Sequence, residues 1–100
     1  MFLKELARVI RSKNAGPRCI TLDVLFENDD AYRRVVQSDA LSREAVAQLY
    51  GVTVSDVRVF HHPIARAIKI AMPRKITAGD PGDRDVYGAQ QHGRLLEVRV

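Results

Sequence analysis

Two short runs hold most of the side chains in this chain that bind anions or move protons. They are Arg11-Ser12-Lys13-Asn14-Ala15-Gly16-Pro17 and Asp85-Val86-Tyr87-Gly88-Ala89-Gln90-Gln91-His92. Neither has the apolar spacing of a core segment. In the first, Arg11 offers a planar fork for a carboxylate or phosphate and Lys13 a mobile point charge. Ser12, Asn14 and the amides of a tight turn around Gly16 add a donor nest. In the second, His92 carries the side chain suited to proton transfer near neutral pH. Asp85 and Tyr87 stand close by in sequence, and Gln90 and Gln91 can fix carboxyl or hydroxyl oxygens. Asp23, on the strand after the first run, either faces solvent or pairs with Arg11 or Lys13. Paired, it would stay ionised and orient a ligand or act as a base. Each run also has a plain structural reading. The first is then an exposed basic hairpin tip. The second is a polar helix face, with His92 opposing the helix dipole before Gly93.

Such residues need a scaffold. One hundred residues form one domain, 1–100, which buries roughly two thirds of its unfolded surface, so self-association would be a natural supplement. The 46% apolar and 28% charged composition excludes wholesale disorder. Sixteen basic against twelve acidic residues give +4. That excess is mild for nucleic-acid binding, so its placement matters more than its size. It is densest early, at Lys4, Arg8, Arg11, Lys13 and Arg18, opposed only by Glu5. A single cysteine, Cys19, rules out an intramolecular disulfide and reads as a small buried side chain. Charge interrupts the first residues too soon for a signal peptide, and no apolar run reaches membrane-span length. A cytoplasmic location is expected.

The hydrophobic pattern places the elements. Leu6 to Ile10 reads as a strand entering the Asn-Ala-Gly-Pro break. Arg18 to Phe26 is a second strand, with Ile20, Leu22, Val24 and Phe26 on one face. Asn28 caps a helix carrying Ala31, Tyr32, Val35 and Val36. Ser42 caps another carrying Ala45, Val46, Leu49 and Tyr50, closed by Gly51. Val57 to His61 is extended, and Ala65 to Met72 alternates with Ile68, Ile70 and Met72 together. Residues 73–83 form a loop, a short turn or helix spans Tyr87 to His92, and Leu95 to Val100 would close a sheet edge. Strands first and last with two central helices predict an α+β two-layer sandwich with a mainly antiparallel sheet.

Two further readings compete. His61-His62-Pro63 with His92 suggests a metal site, but adjacent strand residues point to opposite faces, so no metal is expected. No nucleotide fingerprint or Ser-His-Asp signature appears, and no cofactor is expected. Arg43 to Val52, continuing through Val54, Val57 and Phe60, follows the order of a helix-turn-helix. Its would-be recognition helix, Val54 to His62, is β-branched, runs into Pro63 and offers only Arg58 for base reading. DNA binding is therefore not expected.

Ile10 to Pro17, Thr21-Leu22-Asp23, Leu49-Tyr50-Gly51-Val52, Ala67-Ile68-Lys69 and Asp85 to His92 resemble a small bacterial family, domain of unknown function 4387. The likeness spans nearly the whole chain, and Tyr-Gly-Ala-Gln-Gln-His is its most specific run. A more distant likeness is to the ferredoxin-like domain of acyclic-terpene-utilisation (AtuA-like) proteins. The resemblance implies a sandwich of ferredoxin-like character and a small subunit of a two-component catabolic enzyme. Such family members are often encoded beside a large AtuA-like protein, amid genes for carboxylic-acid or acyl-CoA catabolism. A lyase or hydratase acting on a small carboxylate or its CoA ester would follow. In that reading Arg11, Ser12, Lys13, Asn14 and Gly16 hold the anion, with Gln90 and Gln91 positioning oxygens. His92, Asp23, Asp85 and Tyr87 form the catalytic set. One departure is Gly93-Arg94, where the family pattern has a small residue and then proline. The alternative is a non-catalytic assembly or binding module for a larger partner.

Overall fold

A computed structural model describes residues 1–16, 18–73, 91–96 and 98–100, with the backbone alone for Gln91 and His92. The chain begins with one helical turn, α1 (Leu3–Leu6), whose Glu5 Oε2 accepts from the Phe2 amide at 3.0 Å. Two strands follow, β1 (Ala7–Asn14) and β2 (Cys19–Phe26), then two helices, α2 (Asp29–Ser38) and α3 (Arg43–Tyr50). A 3-10 turn (Val54–Asp56) leads into β3 (Arg58–His62) and β4 (Ala67–Pro73), and a last 3-10 turn spans Gln91–Leu95. The strands make one antiparallel sheet in the order β1-β2-β4-β3. Both helices cover one face of it. The result is an α+β two-layer sandwich of ferredoxin-like character, running hairpin, helix pair, hairpin.

The caps act as their residue types dictate. Asn28 accepts the Ala31 amide at 2.8 Å and Ser42 the Ala45 amide at 3.2 Å, each satisfying a donor that the helix itself leaves open. Gly51 ends α3 in the left-handed region at φ 67°, which costs a glycine nothing. Ile20, Leu22 and Val24 oppose Met72, Ile70 and Ile68 on β4, and all six are almost completely buried. From the helix layer, Tyr32, Val35, Val46, Ala47 and Tyr50 close the core, with Leu3 and Leu95 sealing its ends. Phe26 and Tyr32 meet edge to face at 6.0 Å.

Three expectations are corrected. The first strand does not stop at Ile10: Ser12, Lys13 and Asn14 pair with Leu22, Thr21 and Ile20, so the run from Arg11 is strand and only Ala15 onward turns. The ladder hydrogen bonds outweigh the polar side chains. Residues 98–100 do not form a strand of the sheet. They bridge back to the start of the chain, where Leu3 N–H donates to the Val98 carbonyl at 2.7 Å and Val100 N–H to Met1 at 2.9 Å. Cys19 is half-buried rather than in the core.

The helix-turn-helix match ends at its first helix. Residues 54–62, which a recognition helix would need, form one 3-10 turn and the edge strand β3. β-branched Val57 and Val59 favour that outcome.

Candidate functional site

Strand alternation and register sort the polar residues. Partners in an antiparallel pair share a face. Arg11, Asp23, Lys69 and Phe60 therefore form one row across all four strands, on the face away from the helices. Lys13, Thr21, Ala71 and Arg58 form the next row, and Val9, Leu25, Ala67 and His62 the row on the other side. In these rows four cations stand against one carboxylate, Asp23. Neighbouring strands lie about 5 Å apart, so Arg11 and Lys69 flank Asp23 closely, while Arg58 stands on the far edge strand.

Arg11 and Asp23 meet directly, Nε to Oδ2 at 3.3 Å, as the sequence reading allowed. Asp23 is the better covered partner, with 17% of its side chain exposed against 63% for Arg11. The contact runs through Nε, which leaves the two terminal guanidinium nitrogens as a forked donor pair. Lys69 lies across from Asp23 on β4, so the carboxylate sits between two cations. An anion on this face would meet Arg11, Lys69 and Lys13, with Asp23 holding Arg11 in place.

The remaining residues of the first run do not share that face. Ser12 pairs opposite Leu22 and is buried beneath the helix layer, and Asn14 follows it on the same side. A five-residue anion nest from Arg11 to Gly16 is thus divided by the pleat: Arg11 and Lys13 on the open face, Ser12 and Asn14 on the core face. Gly16, in the turn that follows, takes a positive φ of 105°, a conformation open to glycine at no steric cost.

Of the second run, Asp85, Tyr87 and Gln90 lie outside the described residues. Gln91 and His92 begin the last 3-10 turn, which packs on β1 from the helix side. Its Leu95 is fully buried in the core, and Arg94 Nη1 donates to the Leu49 carbonyl at 3.2 Å. Burial in that layer pushes the Tyr50 phenol well above its usual range, and nearby Arg94 offsets part of the rise. Within that turn only Leu95 is fixed in the core, on the helix side of the sheet, while Arg11, Lys13 and Asp23 project from the other face.

Arg58 and Lys69 were missed as anion-site residues, because nothing in their local sequence marks them for that role. Their only signal is the strand parity that puts them in step with Arg11 and Lys13. His61 and His62 fall on opposite faces of β3, as argued from parity, and no metal-binding cluster occurs among the described residues. Nor is any described helix long and apolar enough to cross a membrane.

Comparison with curated proteins and with solved structures returned no match. One family model does match, over residues 3–99, and that span is almost the whole chain. The protein belongs to the family described as domain of unknown function (DUF4387).

Proposed function

We propose that this chain is the small component of a two-component, AtuA-like catabolic enzyme, a cytoplasmic lyase or hydratase that acts on a small carboxylate or its CoA ester. Its part is to hold the anionic group on the open sheet face, at the seam with the larger subunit. The observation that carries this reading is the cross-strand row Arg11–Asp23–Lys69, flanked by Lys13 and Arg58, on the one face the helices leave free. A bidentate guanidinium braced by a carboxylate, with lysines beside it, is a chemistry suited to carboxylates and phosphates. His92, with Asp85 and Tyr87, is the proposed proton-handling set.

Assembly without catalysis is the second reading, and exposed apolar side chains favour it. Ile64 is wholly exposed at the β3–β4 turn and Phe60 is 45% exposed at the β3 end of the cationic row. Both suit a protein partner.

Coexpression with an AtuA-like protein separates the two. If the open face holds substrate, Arg11→Gln and Lys69→Gln leave the complex intact and raise KM about tenfold or more, the worth of one charge-assisted hydrogen bond. Unchanged kinetics in those variants and in His92→Ala, with the complex still formed, would establish the assembly reading instead.

A further inference from the structure

A pocket lies on the helix side, where α2 ends and α3 begins above the edge strand β3. Its volume is about 230 Å³, below the range of drug-sized ligand sites, so an occupant has only a few heavy atoms. Branched aliphatic side chains form the floor: Val35, Leu41 and Ile68, all nearly inaccessible to solvent, with half-buried Val59 beside them. The rim is polar and carries both signs. Asp39, held in the left-handed conformation at φ 57°, caps the end of α2. Arg43 opens α3, and His61 faces them from β3. Among the described residues no ion pair engages Asp39, Arg43 or His61; Arg43 makes one long contact, Nη2 to the Val54 carbonyl at 3.5 Å.

We propose that this corner binds a small aliphatic amino acid in its zwitterionic form. The charges select it by exclusion as well as by attraction. A simple carboxylate would meet Arg43 but be repelled by Asp39. A simple amine would meet Asp39 but be repelled by Arg43. A molecule with ammonium and carboxylate on one carbon satisfies both, and a branched side chain then lies on the valine, leucine and isoleucine floor, where its burial is favourable. His61 supplies a third polar contact for the carboxylate. The helix ends agree in sign, since α2 turns its negative end toward Asp39's ammonium partner and α3 its positive end toward the carboxylate.

This site is separate from the open sheet face, so the two readings fail independently. The test is titration of the isotopically labelled full chain, followed by amide resonances, with leucine, isovalerate and isoamylamine as probes. Leucine is expected to shift the amides of Leu41, Arg43 and His61 with a Kd of about 1 mM or tighter. Each single-charge analogue is expected to bind about tenfold more weakly or worse, because it leaves one rim charge without its partner. Asp39→Asn keeps the backbone conformation, which asparagine also adopts, and Arg43→Gln keeps the helix start. Each should cost leucine about tenfold in affinity. Val59→Trp should fill the pocket and abolish the shifts. The proposal is overturned by no response to leucine at about 10 mM, by equal binding of isovalerate, or by indifference to both Asp39→Asn and Arg43→Gln.

Discussion

The two faces of this sheet are made by the same four strands, and alternate residues of each strand serve one or the other. On β2, Ile20, Leu22 and Val24 point under the helices and Thr21 and Asp23 point away; on β4, Ile68, Ile70 and Met72 divide in the same manner from Lys69 and Ala71. The buried set repeats one chemistry, apolar throughout. The open set mixes cations, a carboxylate, a hydroxyl and a phenyl ring. Concentration of like charge there is unfavourable on its own, which is the physical reason for reading that face as built for a ligand.

The comparison can be broken most directly at Leu22, which is fully buried opposite Ile70. Leu22→Ala should destabilise the fold by about 2–5 kcal/mol, read from urea denaturation, because the packed neighbours cannot collapse into the space. A loss under about 1 kcal/mol would mean the two faces do not differ in the way described.

The buried tyrosines sharpen the same contrast through pH. Burial raises the phenol pKa of both Tyr50 and Tyr32 above the ordinary value of 10.0. The unfolded chain therefore releases these protons at lower pH than the folded one. Stability from this source is complete below about pH 10 and falls as pH rises beyond it, by about 1.4 kcal/mol per pH unit for each tyrosine that ionises only when unfolded. Denaturation midpoints measured between about pH 9 and 11 should show the decline. Tyr50→Phe should make it shallower; an unchanged slope would place that phenol in contact with solvent.

Smaller effects are expected at the helix starts. Asn28→Ala and Ser42→Ala each remove an acceptor from an end amide and should cost about 1 kcal/mol apiece, measured as shifts in the same denaturation curves. Ser42→Ala also adjoins the amino-acid pocket, so Asn28→Ala is the cleaner measure of capping alone.

Those caps show what could be read from the sequence. Asn28, Ser42 and Gly51 announce helix ends by side-chain chemistry that acts within three residues, and β2 announces itself by alternation within its own length. Local rules suffice there. They fail where pairing decides. Arg11 to Asn14 looks like a turn because its residues are polar, yet its backbone is held by β2, and only the partner strand reveals that. Leu96, Val98 and Val100 alternate as a strand does, but alternation states that a segment is extended and half covered, never what it lies beside. The last residues pair with Met1 to Leu3 rather than with the sheet. The candidate site was legible in the same uneven way. Asp23 opposite Arg11 follows from a hairpin alone, whereas Lys69 and Arg58 join the row only through the crossover that sets β4 beside β2. The α2–α3 pocket gathers side chains from four elements, and no spacing in the chain marks it.

The smallest expected effect is the most informative about function. Arg11 is well exposed, so Asp23→Asn and Arg11→Gln should each change stability by no more than about 1 kcal/mol. Their effects on anion binding should be opposite in sign. Arg11→Gln removes the fork and should weaken binding of a small carboxylate or of inorganic phosphate. Asp23→Asn removes the one negative charge between Arg11 and Lys69, so it should strengthen nonspecific anion binding while loosening the geometry that Arg11 needs to select a carboxylate. Titration calorimetry at low salt, where exposed charges are least screened, reads both. If the two variants instead bind anions alike, then Asp23 does not brace Arg11, and the row is a set of solvated charges that happen to lie in register.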